Sequence, residues 1–103
     1  MQNVTLKIYV SEKQRHNGKL VYEWLLEEAR KLGVPGGSAF RAIAGFGRHG
    51  RMHEETFIEL AGELPMQVEF VLDEILAEKL LAVVRPHNMN LFYLRHEVET
   101  GIV

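Results

Sequence analysis

From Val4 the chain alternates: Val4, Leu6, Ile8 and Val10 are apolar, with Thr5, Lys7, Tyr9 and Ser11 between them. A period of two is what a strand with one buried face requires, so the chain is expected to open on a half-buried strand. The polar run from Glu12 to Gly18, which carries Arg15 and His16, is expected to be a loop. The period then changes. Val21, Trp24, Leu25, Ala29 and Leu32 recur every three or four residues and form one apolar stripe, predicting a helix from Lys19 to Leu32. Asn17 is positioned to cap its start. Arg30 and Lys31 suit the negative end of its dipole, and Gly33 followed by Pro35 ends it.

After a Gly36-Gly37 turn, Phe40, Ala42, Ala44 and Phe46 alternate with Arg41 and Ile43, predicting a second strand over Ser38 to Phe46. Gly45 to Gly50 breaks the pattern, and Thr56 to Leu60 fits a strand or a short helix equally. A turn at Gly62 to Pro65 leads into Met66 to Leu72, with Val68, Phe70 and Leu72 on one face. Asp73 is a good cap and Glu74 adds negative charge to the first turn of a second helix, whose stripe is Leu76, Leu80, Val83 and Val84. Arg85-Pro86 ends it. Leu91 to Val98 is the last strand, with Phe92, Leu94 and Val98 on one face.

The order βαββαβ predicts an α+β, ferredoxin-like sandwich over residues 1–103, an antiparallel sheet with two helices on one face. With the helices over the side carrying Leu6, Phe40, Val68 and Phe92, the other side would present Lys7, Tyr9, Arg41, Ile43, Glu69, Val71, Leu91, Tyr93, Arg95 and Glu97. That mixture suits an interface between copies, which would bury the aromatics and pair the charges. A wetted face with a few stray aromatics is the alternative.

A chain of 103 residues has room for one domain. Its formal charge of −2 argues against a general nucleic-acid binder, which usually shows a strongly basic face. Without cysteine it has no disulfides, thiolate metal sites or cysteine nucleophile, which suits a reducing compartment without requiring one. The N-terminus shows no signal-peptide pattern, and no apolar run is long enough to span a bilayer. A cytoplasmic protein is expected, inserted in no membrane.

Candidate chemistry concentrates in Arg41-Ala42-Ile43-Ala44-Gly45-Phe46-Gly47-Arg48-His49-Gly50-Arg51-Met52-His53. The glycines allow close approach of backbone to a ligand. Arg48 and Arg51 supply donors for phosphate or carboxylate, and His49 and His53 supply pH-sensitive ones. A solvated hairpin tip accounts for the same composition, and both readings stand. Gly45 to Gly50 matches the GxGxxG pattern formally, but it follows a second strand and opens no buried helix, so a dinucleotide fold is rejected. His49 and His53 are four apart without a helix to align them, and His87 and His96 could converge only through folding. No nucleophile–base arrangement or paired catalytic carboxylates stand out, so an enzyme is not expected.

Taken whole, the sequence resembles the small bacterial and archaeal PII-like proteins, in the branch carried as a domain of unknown function. The likeness rests on Leu6-Lys7-Ile8-Tyr9-Val10, Ser11-Glu12-Lys13, His16-Asn17-Gly18-Lys19, Tyr22-Glu23 and Glu28-Ala29-Arg30. Above all it rests on Arg41 to Gly47 with Met52-His53, and it continues through Leu64-Pro65 to Asp73. The resemblance implies a ferredoxin-like subunit of a homotrimer that binds a small anionic effector, often an adenine nucleotide, between subunits. It further implies control of a partner protein, such as a transporter or enzyme, through the loop over 46–54. Carried over, Arg41, Gly45, Phe46 and Gly47 line the cleft, and Arg48, His49, Arg51 and His53 supply loop or phosphate contacts. No permanent cofactor is implied. A divalent-metal-binding or metal-responsive trimer using the loop histidines is the alternative. The sequence departs from true PII proteins in a shorter loop without a tyrosine. It also lacks the glycine- and lysine-rich turn that grips phosphate after their second helix, where Arg85-Pro86-His87-Asn88 stands.

Overall fold

The computed structural model describes residues 2–45 and 64–103. The expected uncertain segment Thr56 to Leu60 lies outside them. The alternating opening forms β1 (Asn3–Ser11). A small hairpin follows, β2 (Arg15–His16) and β3 (Lys19–Leu20), then α1 (Val21–Lys31) and β4 (Gly37–Arg41). After β5 (Pro65–Asp73) come α2 (Glu74–Val84), a 3-10 turn over Arg85–His87, and β6 (Tyr93–Glu97). The main sheet has the order β4-β5-β1-β6 and every pairing is antiparallel. This is the expected ferredoxin-like α+β fold.

β1 and β5 pair along their full lengths, with Asn3 opposite Asp73 and Ser11 opposite Pro65. The register puts Val4, Leu6, Ile8 and Val10 beside Leu72, Phe70, Val68 and Met66, and all eight are buried. Cross-strand partners point to the same face, so the two central strands present one continuous apolar surface. Val21, Leu25 and Ala29 from α1 and Ala77, Leu80 and Leu81 from α2 close over it. Asp73 ends β5 and caps α2 at once, its Oδ1 accepting the Leu76 N–H at 2.8 Å.

Three local expectations are corrected. Asn17 does not cap α1. It turns the β2–β3 hairpin with Gly18, at φ 53° and 81°, and α1 starts from Leu20 without a side-chain cap. Asn-Gly is among the pairs that best tolerate two successive positive φ values, and that preference outweighs its capping value here. β4 stops at Arg41 rather than reaching Phe46, and its facing is reversed. Ala39 lies opposite Val68 on the helix side, and Phe40 lies opposite Gln67 on the open side, 52% exposed. The cause is space. Gly37 lies so close to the Phe70 ring that a Cβ there would stand 2.6 Å from it, so the side of β4 that carries Gly37 and Ala39, with Arg41 at its end, is the one turned inward.

β6 is also reversed. Tyr93, Arg95 and Glu97 lie opposite Ile8, Leu6 and Val4 on the helix side, at the sheet edge. Arg95 there reaches Glu78 of α2 at 2.5 Å, and the hydrogen bond and its charge hold the Glu78 carboxyl below its ordinary value. Phe92, Leu94 and His96 take the open side, where the Phe92 ring meets Tyr9 at 5.7 Å between centroids. The open face therefore carries Lys7, Tyr9, Phe40, Glu69, Val71, Phe92 and Leu94. Of the expected members Lys7, Tyr9, Glu69 and Val71 are there, while Arg41, Tyr93, Arg95 and Glu97 lie on the helix side, so Lys7 and Glu69 are the expected charges left among the aromatics.

Gly37→Ala is expected to lower unfolding stability by about 1–3 kcal/mol through overpacking against Phe70. Gly36→Ala, with nothing within 4 Å of its added Cβ, should stay within about 0.5 kcal/mol of the parent in the same denaturant titration. Asp73→Ala should cost about 1 kcal/mol by the same measurement, through the lost cap.

Candidate functional site

The sheet has one end at which β1 finishes, β4 finishes and β5 begins. Backbone bonds fasten the three there: Glu12 N–H donates to the Leu64 carbonyl and Ala42 N–H to the Pro65 carbonyl, both at 2.9 Å. The chain leaving β4 and the chain entering β5 thus depart side by side from the tip of β1. Arg41 lies opposite Met66 at this edge, and its Nη2 is 3.0 Å from Glu12 Oε2. The Arg41 side chain is 59% exposed and that of Glu12 24%. An ion pair so open to water holds its partners loosely, and an incoming anion can share or take the guanidinium at small cost.

Of the eight residues expected to bind ligand, Arg41 and Gly45 are described. Both are exposed and stand on the same departing stem. Phe46, Gly47, Arg48, His49, Arg51 and His53 lie outside the described residues. Ile43, between the two described ones, is 96% exposed, so the stem beyond Ala42 presents its side chains outward rather than to the core.

The segment after α2 also reaches a cavity. About 250 Å³ of space is lined by Arg85, Asn88, Asn90, Leu91 and Tyr93 among others. Asn88 and Asn90 hold left-handed φ values of 55° and 57°, which asparagine tolerates better than most residues. The stretch from Arg85 to Asn90 offers one guanidinium and two amides beside an apolar floor.

One contact was not foreseen. His16 and His87, expected in a loop and at a remote site, meet, with Nε2 of the first 3.0 Å from Nδ1 of the second. Asn-Gly after His16 was the available signal for the hairpin, but nothing in the sequence aligned that hairpin with the end of α2. His96 does not join them, since it lies on the open sheet face. Among the described residues no group of three or more His, Cys, Asp or Glu could hold a metal ion. Among the same residues no helix is long and apolar enough to cross a membrane.

Comparison with known proteins gives concordant results. The model of the DUF190 family, described as Uncharacterized ACR, matches residues 3–100. A UPF0166 protein of Aquifex aeolicus is 34% identical over 84 residues, covering 81% of this chain and 80% of that one. A UPF0166 protein of Methanocaldococcus jannaschii is 30% identical over 66 residues, covering 64% and 60%. Among solved structures, CPII of Thiomonas intermedia K12, a nitrogen regulatory PII-like protein bound to ADP, AMP and bicarbonate, superposes with a TM-score of 0.70. Its identity is 18%, with 99% of this chain and 91% of that one covered. CPII bound to ADP and bicarbonate gives a TM-score of 0.64 at 20% identity, with the same coverage of 99% and 91%.

Because the Arg41–Glu12 pair is exposed, Arg41→Ala should change unfolding stability by less than about 1 kcal/mol in a thermal or denaturant melt. A binding defect in that variant then reports on the site rather than on folding.

Proposed function

Since the chain belongs to the DUF190 family and has the PII-like fold, we propose that it is a regulatory protein rather than an enzyme. One domain spanning the chain assembles as a homotrimer in the cytoplasm and binds a small anionic effector, an adenine nucleotide, between subunits. The open sheet face makes the subunit contact, burying Phe40, Val71 and Phe92 and pairing Lys7 with Glu69 or its counterpart. The effector sits at the fastened end of the sheet. Arg41, Gly45, Phe46 and Gly47 line the cleft, and Arg48, His49, Arg51 and His53 contact phosphate. Binding selects one arrangement of the loop over 46–54, and that arrangement sets affinity for a partner protein such as a transporter or enzyme.

The observation that carries this reading is the fastening of the entering stem to the tip of β1 and of the leaving stem to the entering one, with the exposed Arg41 guanidinium paired there with Glu12. Such a stem transmits a change at its base into the loop, because backbone bonds leave it little freedom to absorb one. The ligands of CPII support the choice of nucleotide as the effector class.

Isothermal calorimetry with ATP, ADP and AMP tests the reading. At least one should bind, and Arg48→Ala with Arg51→Ala should weaken it roughly ten- to hundredfold, as loss of charge-assisted donors requires. Arg41→Ala should weaken it as well. Light scattering should give three times the chain mass. No binding across the series, or a strictly monomeric protein, overturns the proposal.

A further inference from the structure

His16 and His87 are 71 residues apart in sequence, yet their rings stand 5.1 Å apart between centroids and nearly perpendicular, at 82°. Trp24, in the first turns of α1, meets the His87 ring edge-on at 4.7 Å. The β2–β3 hairpin, α1 and the turn ending α2 thus converge on one spot. Each ring is carried by an ordered element, and each is half-buried, so a small solute can reach the pair from solvent.

Neutral imidazole offers one lone pair and one N–H. Two imidazoles on one tetrahedral ion, each with nitrogen about 2.0–2.1 Å from it, hold those nitrogens about 3.3 Å apart. The observed 3.0 Å between Nε2 of His16 and Nδ1 of His87 is a few tenths of an ångström short of that bite. Opening the pair to that bite means breaking the hydrogen bond and turning both lone pairs toward a common point. The indole of Trp24 fixes the His87 ring plane and excludes water from one side. We propose that His16 and His87 form a two-imidazole site for a borderline divalent transition ion (Zn²⁺, Ni²⁺ or Cu²⁺), with water in the remaining positions. The ion replaces the hydrogen bond between the rings, whose protons then reside on Nδ1 of His16 and Nε2 of His87. Cu²⁺ binds tightest of the three, following the general order for nitrogen ligands. With no third protein ligand among the described residues, the site is open and its metal exchangeable. Occupancy ties the hairpin to the end of α2. The site is independent of the nucleotide reading and uses neither His49 nor His53.

The chain provides its own reporter, because Trp24 is its single tryptophan and touches one of the two ligands. Open-shell Cu²⁺ or Ni²⁺ bound at the pair should quench Trp24 emission, whereas closed-shell Zn²⁺ should compete without quenching. Titration of the untagged full chain near neutral pH should show a saturable loss of more than half the emission, restored by EDTA and opposed by Zn²⁺. His16→Gln and His87→Gln should each raise the half-quenching concentration at least about tenfold. His49→Gln with His53→Gln should leave the curve unchanged. His87→Gln also alters the surroundings of the indole, so His16→Gln, whose ring contact is with His87, is the deciding variant. Its metal-free melt and emission show whether the fold is kept, and a variant that unfolds is replaced by His16→Asn. Quenching unaffected by loss of His16, quenching that follows the loop histidines, or no saturable quenching up to millimolar metal overturns the site and leaves only a hydrogen bond between two rings.

Discussion

The pairing of β1 with β5 constrains everything else. Two nine-residue strands run antiparallel over their full length, and because side chains alternate with period two, one register decides the facing of every residue on both. A slip by one position would turn Leu6 and Phe70 to opposite sides and leave the helices nothing to cover. The edge strands inherit this parity. β4 must turn its Gly37 and Ala39 side inward because Phe70 occupies the space beside Gly37, and β6 must place Tyr93 and Arg95 at the helix-side rim because Ile8 and Leu6 stand opposite. The aromatic content of the open face follows from the same rule.

That pairing also builds the base of the candidate ligand site. Ser11 opposite Pro65 brings the end of β1 to the start of β5, and the bonds of Glu12 and Ala42 to Leu64 and Pro65 extend the fastening by one residue on each side. Glu12 serves two purposes there. Its backbone secures one stem, and its carboxylate holds the guanidinium that stands on the other. An arginine so placed remains charged at any physiological pH and is held by a weak, exposed pair, which is the condition under which an anion can engage it.

The two clusters at the protein's surface differ in chemistry. At Arg41 the group on offer is a charged guanidinium, suited to phosphate or carboxylate. Around His87 they are two nitrogen bases and an indole, suited to a transition ion. The first belongs to a stem set by the sheet. The second depends on a hairpin, a helix and a turn meeting across the helical layer, and each of these can shift slightly without disturbing the central strands.

The sequence alone determined the element order, the apolar faces of β1, β5 and α1, the cap at Asp73 and the stop at Arg85-Pro86, because each is dictated by local period or local chemistry. It also marked Arg41 to His53 as the place where charge and glycine concentrate, and it carried the family likeness. Only the tertiary structure decided which way Phe40 and Phe92 face, because alternation fixes which residues share a side but not which side meets the helices. Asn17 illustrates the same limit, since a cap and a hairpin turn are both local options and the pairing of Arg15 with Leu20 chose between them. The meeting of His16 with His87 had no local sign at all: it is a long-range contact, created when the core brings the start of α1 and the end of α2 to the same end of the fold.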